Sequence, residues 1–409
     1  MKYFAFIGAH YRFLLFGFLM MGLSNFGQTF FIALYSAEIR GAFGLSNAGF
    51  GGLYSAATLA SAFVMVYSGR FIDGWPLRRF VMFVLGGLLV GCAVMGLSGH
   101  VVGLFVAIFM LRHFGQGLSS HTAMTTAGRA FDKNRGQAVS LVQLGYAGFE
   151  SFFPLMAVSA IALLGWQQSW LVYAVFLMLV AMPLQIGLAG YEPRHYAVDA
   201  DAAAETGLDR ASMLRDRRFY MVMPLYLAPP FFLTGLFFHQ VQLADARGWE
   251  IEVLAAAFTL YAFAKVTMSL ATGPLVDRFT ALKLLPLSAL PLLLAFWLLL
   301  LPDNLFGALT PFIYMGLIGI NLGMAGPVSG GLWPELFGTA HLGAIRSLTS
   351  PIVIAATAAA PVLFGAAIDF GIGFGALAMS GMVFLIGSAL LAFSVPADKL
   401  SPLKREQNE

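Results

Sequence analysis

Charge is scarce in this sequence. Asp, Glu, Lys and Arg make up only 11% of its 409 residues, against about 25% in an ordinary soluble domain. Cysteine is scarcer still. The single Cys92 rules out an internal disulfide, and metal sites built on cysteine pairs are excluded by count. It lies in an apolar run and reads as a small packed residue. No Gly-x4-Gly-Lys-Ser/Thr loop is present, so an ATP-driven pump has no support, and no His-Glu-x-x-His or Cys/His spacing marks a metal centre. The Gly371-x-Gly373-x-Gly375 run follows no strand and carries no weight as a nucleotide fingerprint. Nothing reads as a Ser–His–Asp constellation. A net charge of +3 is too small to indicate a nucleic-acid partner.

What the chain has instead is apolar surface: 59% hydrophobic residues and a mean hydropathy of +0.81. A water-soluble globule of this composition would lack the polar surface to cover itself, which leaves a polytopic membrane protein. Apolar runs of spanning length fall at about 12–36, 47–68, 80–99, 103–127, 138–163, 167–190, 219–244, 252–272, 284–301, 304–330, 343–367 and 372–395. Backbone in lipid must satisfy its own hydrogen bonds, so runs of this length are helices and not barrel strands. The apolar stretch from Phe13 to Tyr35 has no small-residue cleavage site and reads as the first span, not as a cleaved signal. One longer polar break, Tyr191 to Arg218, separates six spans from six.

Basic residues set the orientation. With the N-terminus inside, 19 of the 23 lysines and arginines fall on the cytoplasmic side, only Arg40 and Arg247 on the other, and Arg112 and Lys265 within spans. Both termini are then cytoplasmic. The halves also repeat. Gly69-Arg70-Phe71-Ile72-Asp73 recurs as Gly273-Pro274-Leu275-Val276-Asp277, an offset of 204. Phe43-Gly44-Leu45-Ser46 stands the same distance before Arg247-Gly248-Trp249-Glu250, and Arg135-Gly136-Gln137-Ala138 stands 207 before Leu342-Gly343-Ala344-Ile345. Half the length is about 204, which indicates a duplicated six-helix unit.

The loop after the second span reads GRFIDGWPLRR from Gly69 to Arg79, with GPLVDRFTALK from Gly273 to Lys283 as its echo. This paired pattern resembles the signature of the major facilitator superfamily, Gly-x-Leu-x-Asp-Arg-x-Gly-Arg-Arg. The first copy has Gly74 and Pro76 where the pattern has Arg and Gly, and the second loses the later Gly-Arg. The resemblance implies two six-helix bundles around a central cavity. It also implies that Asp73, Arg78, Arg79, Asp277 and Arg278 latch neighbouring helices on the cytoplasmic side. A basic residue in the eighth span, Lys265, is similar to one that meets the substrate carboxylate in the monocarboxylate and oxalate–formate type branch, although it stands four residues earlier relative to the loop Asp277.

Ionisable groups inside a membrane are costly, at ~2.5–3.5 kcal/mol each on insertion scales, and are functional candidates by default. Lys265 precedes Asp277 by twelve residues, about 18 Å along a helix and so near mid-membrane. Its repeat-related position is Ser61, so this charge belongs to one half only, as expected of a substrate contact. Tyr261 lies one turn earlier. Arg112 and Glu150 are equidistant from the loop joining the fourth and fifth spans, which places them at equal depth on neighbouring helices. Glu150 is the proton-carrier candidate. His239, ending the seventh span, is a second one; His113 and His121 read as structural. Asn25, Gln28, Gln116 and Asn321 complete the polar set, with Thr29 and Thr234 as further polar positions.

The expected fold is therefore an all-α membrane protein of twelve transmembrane helices. Its parts are a bundle over 1–190, a cytoplasmic linker over 191–218, a second bundle over 219–395 and a tail over 396–409. The expected activity is secondary transport by alternating access in a bacterial inner membrane, not catalysis. A small organic anion, a carboxylate, would bind Lys265, Arg112, Asn25, Gln28, Gln116, Tyr261 and Asn321. Glu150 and His239 would handle the coupled proton. No cofactor, metal or nucleic acid is called for, and the partners are substrate, protons and the bilayer around a monomer. Two other readings stay open: a proton-driven exporter of amphipathic compounds, with the 39 phenylalanines lining its pocket, and a membrane-embedded sensor without transport.

Overall fold

The computed structural model describes residues 2–130, 135–191, 214–302, 305–337 and 342–395. Most of the expected linker and all of the expected tail lie outside them. Among the described residues twelve helices are long and apolar enough to cross a membrane. They are α1 (Phe6–Gly27), α2 (Asn47–Gly74), α3 (Leu77–Leu97), α4 (Val101–Ala130), α5 (Gln137–Leu164) and α6 (Trp166–Tyr191). Then come α7 (Arg217–Phe238), α8 (Ile251–Phe279), α9 (Ala281–Leu298), α10 (Gly307–Phe337), α11 (Leu348–Asp369) and α12 (Phe374–Phe393).

Local chemistry sets the helix ends. Ser46 caps α2, its Oγ accepting from the Gly49 N–H at 3.0 Å, and the His100 ring accepts from Val102 N–H at the start of α4. Gly44, at φ 62°, ends the short helix before α2 in the left-handed conformation that glycine adopts without strain. The first span departs from the sequence expectation. Helix begins already at Lys2, runs to Leu23 and passes into a tight turn over Ser24–Gly27. Residues 29–43 then form two short helices, Thr29–Ala33 and Ser36–Phe43. The unbroken helix expected over 12–36 fails because Ser24 and Asn25 turn their side chains back on the chain: Ser24 Oγ donates to Met21 O at 2.6 Å and Asn25 Nδ2 to Gly22 O at 2.9 Å.

The chain divides into two compact units. One comprises Met1–Asp199 with the short stretch Phe237–Val241; the other comprises Ala200–Leu236 and Gln242–Glu409. In the first unit, α1 packs on α5 and α3 on α6. Its core includes the buried aromatics Phe26, Phe31, Tyr35 and Trp170. The stretch Phe237–Val241 is held there by Gln240, whose Nε2 donates to Phe30 O at 2.6 Å, and by Phe238, stacked on Phe50 with centroids 5.1 Å apart. The most extensive helix contact in the second unit is α8 against α10. Gly323 makes that approach possible, since a Cβ there would stand 2.5 Å from Lys265 O and 2.8 Å from the Met268 Cβ.

Candidate functional site

The break in α1 is the starting point of the site. Gln28 is extended (φ −80°, ψ 150°), so the helical ladder is interrupted beside it and the Gly27 carbonyl is open to a side-chain donor. Arg112 fills that role: its Nη1 donates to Gly27 O at 3.0 Å, with Thr29 Oγ1 further off at 3.5 Å. Thr29 Oγ1 also accepts from the Tyr54 hydroxyl at 2.8 Å. The Arg112 guanidinium lies over the Tyr54 ring, 5.2 Å from its centroid, a cation–π contact in a desolvated setting. Arg112 is only 6% exposed, and its buried Nε–H has no hydrogen-bond partner.

Helix α4 is not uniformly α-helical around this arginine. Leu111–Ser119 is a π-helix, with bonds spanning five residues in place of four, a rare form associated with functional sites. Its cause is the seat of the α1 turn. A Cβ on Gly115 would stand 2.8 Å from Gly27 N and 2.9 Å from Gly27 Cα, so two glycines let the interrupted backbone of α1 touch the widened turn of α4. The π segment also changes the register between Arg112 and Gln116, which an α-helix would hold on one face; the Gln116 side chain is half-buried.

Glu150, 1% exposed, stands on α5 and accepts a hydrogen bond from the hydroxyl of Tyr146, one turn earlier. Tyr146 is also within electrostatic reach of Arg112 and Tyr54. The two charges that the sequence places at equal depth thus bear on one tyrosine. Asn25, fully buried, ties α1 to this helix by donating from Nδ2 to Tyr146 O at 3.3 Å. Gln28 is half-buried at the α1 break. Of the expected residues, Arg112, Glu150, Asn25 and Gln28 therefore gather around the α1–α4–α5 junction. Tyr54, Thr29 and Tyr146 join them. Tyr146 carried a readable signal, because a Tyr four residues before a Glu shares its helix face; Tyr54 carried none.

In the second unit Lys265 is half-buried on α8, its Nζ 3.5 Å from the Tyr261 hydroxyl and 5.3 Å from the ring centroid. Tyr261 is 1% exposed. Asn321, fully buried, donates from Nδ2 to Ser288 O at 2.7 Å and joins α10 to α9, while its Oδ1 has no hydrogen-bond partner. A cavity of about 360 Å³ opens nearby, lined by Tyr226, Pro229, Pro230, Ser288, Ser329 and Val353 among others. That is within the small-molecule size range, but Lys265 is not in its wall.

The histidines divide. His239 is buried with the stretch that joins the first unit, its ring 5.0 Å from Phe238. His113 is fixed to α2 by Ser68 Oγ (3.1 Å) and Ser61 O (3.3 Å), and His121 lies 3.2 Å from Gly69 O. Among the described residues no cluster of three His, Cys, Asp or Glu could hold a metal ion.

The two loop motifs are fastened differently. Asp73 is ion-paired with Arg129 at the end of α4. Arg79 stacks on Trp75 at 4.6 Å, and the Arg78 guanidinium lies against Gly190. In the second copy Asp277 and Arg278 are exposed, and Arg278 lies 5.1 Å from the Phe279 ring centroid. The fastening falls to Glu335 at the end of α10, a residue the motif does not point to. Its carboxylate accepts from the Ala281 and Leu282 N–H groups at 2.7 and 3.4 Å, capping α9 just after Thr280, which holds a φ of 75°.

Known proteins share this fold. The sequence profile described as Major Facilitator Superfamily matches residues 14–353. No curated protein sequence matches the chain. Among solved structures, the nucleoside transporter NupG is similar over 94% of this chain and 97% of its own, at 13% identity and a TM-score of 0.68. A mutant of the peptide transporter POT, in complex with alafosfalin, is similar over 93% of each chain at 15% identity and a TM-score of 0.65.

Proposed function

The chain belongs to the Major Facilitator Superfamily, and on that premise we propose that it is a proton-coupled symporter of a small organic anion, a carboxylate, in the inner membrane. It is a multi-pass membrane transporter, not an enzyme. The observation that carries the anion reading is the Arg112 side chain: a buried guanidinium anchored through Nη1 to Gly27 O, with a buried Nε–H left over. A buried donor without a partner is costly, and an anionic substrate oxygen would satisfy it. Lys265, beside Tyr261 on α8, is the second positive candidate in this reading. Asn25, through its bond to Tyr146 O, and Asn321, through its bond to Ser288 O, are further polar residues of this reading, together with the half-buried Gln28 and Gln116.

Glu150 carries the proton in this reading. Its carboxylate and the Arg112 guanidinium share Tyr146 as a neighbour, so an anion held at Arg112 and a proton held at Glu150 bear on one side chain. Anion and proton then travel together. His239, buried at the end of α7, is the second proton candidate. Asp73, Arg78, Arg79, Asp277 and Arg278 act on the inward–outward equilibrium.

The test is uptake of radiolabelled monocarboxylates into proteoliposomes under an imposed proton gradient. Wild type accumulates the anion only with an inward gradient. Glu150→Gln keeps counterflow exchange but loses gradient-driven accumulation, and Lys265→Ala raises KM by tenfold or more. Unchanged anion uptake and competition in Lys265→Ala, together with gradient-driven accumulation in Glu150→Gln, would overturn the reading.

A further inference from the structure

A second charged site stands apart from the candidate transport residues, at the start of α7. Three arginines, Arg215, Arg217 and Arg218, surround a cavity of about 1080 Å³, together with Asp216, Tyr220, Met221, and Leu391 and Ser394 from the end of α12. Asp216 does not neutralise the cluster. Its carboxylate is engaged by Arg218, which donates Nη2 to Oδ2 at 2.7 Å and Nε to Oδ2 at 3.0 Å, while the Arg218 backbone N–H donates to Oδ1 at 2.8 Å. Arg215 and Arg217 stay exposed, so the cavity keeps two positive charges in excess of its one acid.

The walls are of two kinds. The arginines crowd the end of α7 that the charge asymmetry assigns to the cytoplasm. Tyr220, 55% exposed, and Leu391, 40% exposed, lie on the apolar spans that run from there into the bilayer. A soluble anion would have use for the first wall only. A phospholipid needs both: guanidinium forks match phosphate oxygens, and an acyl chain covers Tyr220 and Leu391. We propose that this cavity is a binding site for an anionic phospholipid, with the headgroup phosphodiester held by Arg215 and Arg217 and a chain lying between α7 and α12. Asp216 keeps Arg218 turned inward, so two arginines and not three face the headgroup. Basic pockets between transmembrane helices on the cytoplasmic side are sites of this chemical type. Because α7 opens the second unit, a lipid held here would tie that unit to the charge of the surrounding leaflet.

The experiment uses the purified full-length protein, delipidated in neutral detergent, titrated with dioctanoyl phosphatidylglycerol, dioctanoyl phosphatidylcholine or inorganic phosphate and followed by native mass spectrometry. Phosphatidylglycerol should bind saturably and more tightly than phosphatidylcholine, and equimolar inorganic phosphate should not displace it. Each juxtamembrane arginine is worth ~5-fold in affinity at the membrane surface, so R215Q/R217Q should weaken phosphatidylglycerol binding ~25-fold. Lys283→Gln, at an exposed basic position on α9, should leave it unchanged. Ser394→Glu, which adds a repelling charge without removing an arginine, should also weaken it. Equal binding of the two lipids, displacement by inorganic phosphate, or an effect of Lys283→Gln as large as that of the double variant would each overturn the proposal.

Discussion

Replacing Arg112 by Leu tests the first-unit cluster at its centre. The guanidinium makes a charge-assisted hydrogen bond to Gly27 O at 3.0 Å and a cation–π contact with Tyr54 at 5.2 Å. Such a bond is worth ~1.5–3 kcal/mol and such a contact ~0.5–2 kcal/mol. Leu supplies neither, and it leaves Glu150, 1% exposed, without the positive charge that acts on the same tyrosine. The two lost contacts together cost ~2–5 kcal/mol, and the buried carboxylate left behind adds to that. We therefore expect Arg112→Leu to destabilise the protein by ~3–5 kcal/mol, read as a fall in Tm of about 6 °C or more for a unit of this size.

The second half of this test is Glu150→Gln in the same background. Removing the carboxylate charge removes the part of the cost that it adds, so the double variant should recover that part of the loss. The coupling energy should exceed ~1.5 kcal/mol in a double-mutant cycle measured by thermal unfolding in one detergent. Additivity of the two single variants within ~0.5 kcal/mol would refute the reasoning, since independent sites add to about that accuracy. A stable Arg112→Leu would refute it as well.

Three further outcomes are expected. Gly115→Val places a branched side chain against the Gly27 backbone, where even a Cβ would stand 2.8 Å from N, so it should cost ~3 kcal/mol or more and lower both Tm and the yield of folded protein. Glu335→Ala removes the two-N–H cap on α9 and should cost ~1–2 kcal/mol, whereas Glu335→Gln keeps an acceptor and should lose less than half of that; equal Tm for the two variants would disprove the capping role. Cys92, the only cysteine in the chain and fully buried, should resist maleimide in the folded protein and react when detergent or heat unfolds α3, a one-site reporter checked by mass spectrometry.

The fold was legible because lipid imposes a single rule on the backbone. Among the described residues the spanning apolar runs are helical, the first interrupted at Ser24–Gln28, and ends such as Leu97, Leu164 and Phe393 fall within a few residues of the expected boundaries. The interruptions were not legible in the same way. That Ser24 and Asn25 break α1, and that Gly115 sits in a π turn, depends on where the Gly27 backbone meets α4, a contact between residues some ninety positions apart. The polar site was readable to the extent that scarcity marks it. Arg112, Glu150 and Lys265 stand out because charge in lipid is expensive; Tyr146 is readable only through its place one turn before Glu150, and Tyr54 not at all, because only its position over Arg112 in the fold distinguishes it. The loop motif led to Asp73 but not to Glu335, since the second copy achieves its fastening with an acid from another helix.

That difference between the copies has a physical consequence. Asp73 and Arg129 are both substantially exposed, at 47% and 35% of their side-chain surface, and an ion pair of that kind contributes ~0.2–1 kcal/mol and weakens with salt. It can open and close at little cost. The Glu335 carboxylate is bonded to two main-chain donors at the start of α9, so releasing it would orphan backbone N–H groups of that helix. Its geometry belongs to the helix itself. The duplicated loops thus resemble each other in sequence and differ in stiffness: the first is a contact between mobile side chains, the second a part of the local fold. For both motifs to switch alike, the second would have to uncap α9 each time it moved. A labile contact at the first copy needs nothing beyond the weakness of an exposed ion pair.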